Sequence, residues 1–301
     1  MMQQPFHRRQ FLRTAGLVTA TSLAWPLGAS PRAGDVIGGP RARLLPGCCA
    51  YSYGPLFKKK QITMEQFIGR AVELDVLGVD LTTYWLESTE PAYLATLRSL
   101  AYRNGMAFSG LAIGADLCQP DHGKREQTLQ TIREWVDATE LVGATHLRVF
   151  GDRVPEGATE KEGIQWVAET LKSASTYAAS KGVILGLETH YGLSIKAANI
   201  IEILERVGSA HAGCNLDISN FKERPYEHIE ACLPYATHVH VRDFYGQDKT
   251  PLDLDRVWQL FVKSGYKGYV SAEYEGEEDP TTAVPKLVGK IKALCRKYSS
   301  V

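Results

Sequence analysis

At 301 residues the chain has room for one large domain or two small ones, and its 44% hydrophobic and 23% charged residues give ample material for a buried core. Its 34 basic and 34 acidic residues cancel, but Arg8, Arg9, Arg13 and Arg32 all fall in the first 33 positions, leaving 30 basic against 34 acidic residues, a net of −4, for the remainder. A mildly acidic body gives no electrostatic reason to expect nucleic acid as a partner, and six cysteines without CxxC spacing argue against a disulfide scaffold or a zinc ribbon.

The first element is a targeting segment. HRRQFLRTAGLVTATSLAWPLGAS pairs Arg8-Arg9 with Phe11-Leu12 and an apolar run over 15–27, which resembles a twin-arginine export signal. The run is shorter than the ~20 residues needed to cross a bilayer and is interrupted by Pro26 and Gly28. Residues 1–33 are therefore expected to be a signal peptide and linker, read by the twin-arginine export machinery and sending the mature protein to the periplasm or beyond. No cysteine follows the run directly, so a lipid anchor there is not expected.

From residue 44 one unit recurs. A first strand is predicted at 47–52, and Thr63 with Gln66 three residues on opens a helix whose Phe67, Ile68, Ala71 and Val72 share a face. A second strand at 77–82 leads through Thr89-Glu90-Pro91 to a helix carrying Leu94, Leu97, Leu100 and Ala101 as far as Gly105. Further strands are predicted at 106–112, 145–150, 183–188, 212–217, 237–242 and 269–274. In LVGATHLRVF and KSGYKGYVSAE a glycine ends the preceding helix and the strand follows at once.

Strand–helix alternation calls for a parallel sheet. Eight such units between 44 and 298 fit a single α/β domain, a (β/α)8 TIM barrel. The competing doubly wound sheet would carry a glycine-rich phosphate loop after its first strand, where this chain reads GCCAYSYGP.

A barrel of this kind gathers its chemistry at the carboxyl ends of the strands. Those ends supply Arg148 and Phe150, then Glu188 and His190, Asp217, His240 with Arg242, and Glu273. Period-2 alternation puts His146, Arg148 and Phe150 on one face, and likewise Gly186 with Glu188, Asn215 with Asp217, His238 with His240 and Arg242, and Ser271 with Glu273. Several carboxylates gathered in a dry site cannot all stay ionised without a cation. Three carboxylates and one imidazole suit a hard or borderline divalent ion. His238, one layer deeper, reads as a hydrogen-bonded core histidine, and so does His146.

The segments LGLETH (185–190), CNLDISNF (214–221), PYEHIEACLPYATHVHVRD (225–243) and VSAEYEG (270–276) resemble the sugar phosphate isomerase/epimerase family of xylose-isomerase-like TIM barrels. The resemblance spans about residues 44–298. It implies that Glu188, Asp217, His240 and Glu273 bind one divalent metal, Mn2+ first, with Mg2+, Co2+ or Zn2+ as alternatives. It further implies that Glu188 and Glu273 move protons. Asn220 stands where ketose 3-epimerases often carry a histidine, and Thr189 where many relatives have Asn. Arg148, His190, Arg242, Asn220 and Trp85, with Tyr84 and Phe150, are expected to meet the substrate.

The expected activity is a metal-dependent isomerase or epimerase acting on a sugar or keto-sugar by abstracting a proton next to a carbonyl. A lyase or dehydratase acting on a keto-sugar or 3-keto-glycoside is the alternative. An endonuclease IV-like phosphodiesterase or a non-catalytic sugar-binding barrel are further readings. Export would argue against phosphorylated sugars, which stay inside the cell; a homo-oligomer is compatible with all of these.

Overall fold

Residues 41–299 are described in a computed structural model; the expected export signal at 1–33 lies outside them. The chain runs β1 (Arg43–Cys49), α1 (Gly54–Lys58), α2 (Met64–Glu73), β2 (Gly78–Thr82), α3 (Pro91–Arg103), β3 (Ala107–Asp116), α4 (His122–Val142), β4 (His146–Phe150), α5 (Glu160–Ser180) and β5 (Ile184–Glu188). It continues with α6 (Ala197–Val207), β6 (Ala212–Asp217), α7 (Pro225–Cys232), β7 (Ala236–Val241), the two-residue strands β8 (Phe244–Tyr245) and β9 (Thr250–Pro251), α8 (Leu254–Ser264), β10 (Lys267–Ala272) and α9 (Pro280–Tyr298). Strands β1 to β7 and β10 close into one parallel eight-stranded barrel. The pair β8–β9 forms a small antiparallel hairpin in the loop after β7. The α/β TIM barrel expected from the strand–helix repeat is the fold observed.

Local sequence accounts for the element ends. Thr63 and Gln66 exchange side-chain and backbone hydrogen bonds as a capping box, and Thr159 with Glu162 does the same for α5. Gly143 (φ +90) and Gly265 (φ +70) close α4 and α8 in the left-handed conformation that a Cβ disfavours. Along the strands, outward residues such as Leu147, Val149, Leu185, Leu187, Val239 and Val241 are buried under the helices, which is where the alternating valines of β7 go.

The barrel interior is filled by matching large side chains to glycines. A Cβ on Gly186 would lie 2.3 Å from His146 Nε2, and one on Gly78 would lie 2.4 Å from the Tyr269 ring. Two of the three register shifts add to the filling; the third lies between β3 and β4. Pairing of β2 with β3 skips Ser109, and pairing of β6 with β7 skips Thr237. Thr237 Oγ1 then sits 3.2 Å from His146 Nε2.

Three strands differ from the sequence expectation by more than one residue. β1 starts four residues earlier and stops at Cys49, because Ala50–Tyr53 turn into a 3-10 helix pinned by Ser52 Oγ, which donates to Ala272 O at 2.9 Å and accepts from Tyr274 N at 2.9 Å. β3 runs on to Asp116. β10 ends at Ala272, although Glu273 N still donates to Val241 O at 3.0 Å, so Glu273 keeps its strand-like placement.

Candidate metal centre at the carboxyl ends of the strands

Inward parity and strand height bring Glu188 (β5), His240 (β7) and Glu273 (just past β10) together, each buried. One ligand atom from each lies within 4.8 Å of the others. His240 Nδ1 is 3.2 Å from Glu188 Oε1 and 3.3 Å from Glu273 Oε2. On the far side of the ring, Nε2 lies 2.9 Å from Asp80 Oδ2. Asp80 is a fully buried residue of β2 whose other oxygen, Oδ1, has no partner. A carboxylate at that distance favours a proton on Nε2, so that Nδ1 meets the two glutamates through a second proton or through a metal ion.

That convergence is the test of whether a cation fits. Three acceptors cannot share one small volume unless a proton or a metal ion lies between them. Burial alone would lower the His240 pKa, but Glu273, with hydrogen bonds to Asp80, Glu188 and Glu273, holds it well above the ordinary imidazole value. Burial would likewise raise Glu273, yet His240, Arg242 and Arg148 outweigh it and keep that carboxyl well below its usual range. In the absence of a metal, an imidazolium takes the place of the cation. The donor set of carboxylates and one imidazole is the kind that holds a divalent ion.

Asp217 stands apart from the tight group of three. Ser219 N donates to its Oδ1 at 2.8 Å, while Arg242 Nη2 at 2.5 Å and Asn220 Nδ2 at 2.7 Å both donate to its Oδ2. Burial, opposed by Arg242 but reinforced by Glu273 and Glu188, pushes its carboxyl up to about 8. Asn220 also accepts from Arg242 Nη2 at 2.8 Å and donates to Thr189 O at 2.9 Å, so it braces Arg242 and Asp217. Arg148 Nη1 sits 3.2 Å from Glu188 Oε2 with its guanidinium 4.0 Å over the Phe150 ring. Asn215 Nδ2 donates to Glu188 Oε1 at 3.0 Å.

Glu188, Asp217, Glu273 and Arg148 line a cavity of about 250 Å³ whose other walls include Tyr51, Tyr84, Phe150, His190 and Tyr191. His190 stacks on Phe150 at 4.5 Å. Trp85 is placed differently: its ring lies flat against Phe57, 4.8 Å away. Tyr51 and Tyr84 supply the aromatic surface on that side. His238 lies one layer below His240, with Nε2 2.9 Å from Ser271 Oγ and 3.9 Å from Asp80 Oδ2.

Sequence reasoning missed Asp80, Cys49, Tyr51 and Glu275. Cys49 Sγ lies 3.7 Å from Glu273 Oε1, and burial next to Asp80 and Glu273 pushes its thiol well up, so it donates weakly to the glutamate. Glu275 pairs with Arg242 Nη1 at 2.6 Å. The two residue groups able to hold a metal, among the described residues, are Glu188–His240–Glu273 and Cys49–Asp80–His240. Both contain His240: Glu188 and Glu273 meet its Nδ1 side, and Asp80 meets its Nε2 side.

Among curated proteins, a Streptomyces coelicolor protein provisionally named a hydroxypyruvate isomerase is 27% identical over 233 residues, covering 68% of this chain and 82% of its own length. Solved structures with the same fold include a D-psicose 3-epimerase with D-tagatose from Clostridium cellulolyticum (TM-score 0.68, 14% identical, 84% of this chain and 99% of that one). They also include the apo form of a 3-keto-D-glucoside 4-epimerase from Escherichia coli (TM-score 0.67, 15% identical, 84% and 100% covered). Identities this low establish the fold alone. The profile described as xylose isomerase-like TIM barrel matches residues 68–294, and the chain belongs to that family.

Proposed function

We propose that the chain is a divalent-metal-dependent isomerase or epimerase of a sugar or keto-sugar, acting by removal of a proton next to a carbonyl. The observation that carries this reading is the convergence of Glu188, His240 and Glu273 at the edge of an aromatic-walled cavity of about 250 Å³. Those three residues would hold the ion, with Asp217 as a fourth ligand; Mn2+ fits this donor set, and Mg2+, Co2+ or Zn2+ are alternatives. A bound divalent ion supplies positive charge for a carbonyl oxygen, which makes the neighbouring C–H more acidic.

The remaining work falls to the chain itself. Of the carboxylates that line the cavity, Asp217 and Glu275 are tied to Arg242, which leaves Glu188 and Glu273, from strands on different sides of β6 and β7, as the proton carriers. One would accept the proton and the other would return one. Arg148 and His190 offer donors to hydroxyl oxygens. Tyr51, Tyr84 and Phe150 offer flat apolar surface to a sugar ring.

A lyase is the second reading, and one observation favours it. Arg148 and Asn215 both hold Glu188, whereas the contacts of Glu273 are His240 and the weak thiol donor Cys49. If Glu188 stays in those pairings, Glu273 acts as a single base, and a single base beside a group that can leave gives elimination instead of epimerisation.

Full-length protein loaded in turn with Mn2+, Mg2+, Co2+ and Zn2+ should exchange solvent deuterium into one of a panel of free sugars and 3-keto-glycosides. Glu273→Gln should cut that exchange by about 10²-fold or more. Deuterium at the carbon next to the carbonyl of a recovered epimer identifies an epimerase; an unsaturated product identifies a lyase. Absence of exchange across the whole panel, or exchange that survives both Glu188→Gln and Glu273→Gln, would refute the proposal.

A further inference from the structure

The cavity at the metal centre does not end at its own walls. A second pocket of about 340 Å³ opens beside it and shares His190, Tyr191 and Glu275 with it. Its floor is Arg242 with Ser219 and Asn220, and its outer wall is the β8–β9 hairpin, which contributes Phe244, Gln247 and Lys249. A single sugar ring reacting over Glu188 and Glu273 would leave this space unused.

The chemistry of the second pocket is that of a site for a ring. Tyr191, 41% exposed, and Phe244 both line the pocket, so two aromatic rings are available. The Arg242 guanidinium and the Lys249 ammonium lie over the Phe244 ring, 6.0 and 5.9 Å from its centroid, so cationic donors stand beside it. Beneath them, Arg242 is 4% exposed yet its Nε has no partner, and His190 Nδ1 is also buried and unpartnered. A buried donor without an acceptor costs about 1–3 kcal/mol, and an oxygen on a ligand in this pocket would relieve it.

We infer that the pocket between Tyr191 and the Phe244 hairpin is a subsite for a second ring joined to the reacting sugar, so that the substrate is a glycoside rather than a free monosaccharide. This inference rests on the functional reading above. The second ring is either another sugar or an aromatic alcohol; both offer a flat face for Tyr191 and Phe244 and a linking oxygen for the buried donors.

The test is ligand-detected NMR titration of the full-length, Mn2+-loaded protein with methyl and phenyl 3-keto-β-D-glucosides and the 3-keto form of cellobiose. A good aromatic contact corresponds to roughly a three- to tenfold gain in affinity. The phenyl compound, the disaccharide or both should bind more tightly than the methyl compound by that factor, and which one does identifies the second ring. Phe244→Ala should reduce the ratio of large- to small-ligand affinity to near one. Gln247→Trp, a change at an exposed position that fills the pocket instead of emptying it, should reduce it too and guards against a hairpin that merely fails to fold. If all three ligands bind equally well to the wild type, or if neither variant changes the ratio, the subsite is refuted while the sugar reading stands. If none of the three binds, the glycoside subsite is refuted, and the sugar reading stands or falls on the deuterium-exchange panel.

Discussion

Asp80 shows how one side chain can set the chemistry of another. Its Oδ2 receives His240 Nε2–H at 2.9 Å, and this turns Nδ1 toward Glu188 and Glu273. Asp80→Ala would strip that partner from a ring with no exposure to water. Affinity for Mn2+ or Co2+ should then fall about 10–100-fold, as expected for loss of a carboxylate behind a metal-binding histidine. Asp80→Asn, which keeps an acceptor oxygen, should lose less. Competition with a coloured chelator measures both, and a Co2+ spectrum reports whether the ligand set has changed. An alanine variant that binds Co2+ as tightly as wild type would reduce Asp80 to packing. The residue was readable in principle: it shares inward parity with Gly78 and Thr82 in GVDLT, and an acid amid a strand's apolar residues is costly unless paired. A reading of strand ends does not reach it, because Asp80 lies in the middle of its strand. A second carboxylate carries a pH signature. Burial pushes Asp116 up to about 6, against hydrogen bonds from Cys118 N and Gln119 Nε2, and Asp152 adds to the push. An unfolded Asp titrates near 4, so the folded state holds this proton more tightly. Its contribution to stability is full below about pH 4 and is lost as pH rises through about 6. Asp116→Asn should therefore flatten the stability profile between those limits and be stabilising above pH 6 relative to wild type. Urea melts at pH 4, 5, 6 and 7 decide it; parallel profiles for the two proteins would exclude the assignment.

Among the elements, the strands were legible and their pairing was not. Glycine-closed helices and short apolar runs located all eight barrel strands, and parity sorted inward from outward residues correctly at His146, Glu188, His240 and Glu273. What parity could not supply was the register shifts, because a skipped Ser109 or Thr237 looks like any other residue in its strand. Nor could it assign Trp85 or Asp217. The first depends on Phe57, far away in the sequence, and the second on which cation claims the carboxylate. The inner filling depends on small residues facing large ones, and this can be tested at Gly186. Its missing Cβ would come within 2.3 Å of His146 Nε2 and 3.1 Å of Asn215 Cβ. Neither neighbour is free to retreat: His146 is held by Thr237 Oγ1 and Asn215 by Glu188. Gly186→Ala should cost about 1–3 kcal/mol, the range for overpacking a tight interior, and should disturb metal affinity through Asn215. Equal melting points for variant and wild type would mean that the interior layer is looser than these distances indicate.

The molecule as a whole gathers its charges where its strands end. Arg148, Glu188, Asp217, His240, Arg242 and Glu273 come from five of the eight strands or the residues next to them, and all are buried. Burying such charges costs stability unless each is paired. The pairings of Arg148 with Glu188 and of Arg242 with Asp217 meet part of that cost. Between Glu188, His240 and Glu273 themselves, where Arg148 reaches only the outer oxygen of Glu188, the charge is met by a proton or by a metal. A metal bound there would tie the ends of β5, β7 and β10 together and would stabilise only the folded chain. At a free metal concentration of 100 times Kd the gain is about 2.7 kcal/mol, which for a domain of this size corresponds to a rise in Tm of roughly 5–10 °C. Calorimetry of the full chain with EDTA and with Mn2+ should show that difference at pH 7.5. It should shrink toward pH 5, because the ion must displace the proton held on His240, whose raised pKa keeps it in place. His240→Ala should abolish the shift, and His238→Ala should lower both melting points while keeping most of the gap between them. Identical melting points in EDTA and Mn2+ for the wild type would mean that the three acceptors are neutralised by the proton alone, and that the centre is an ion-paired core with no metal function.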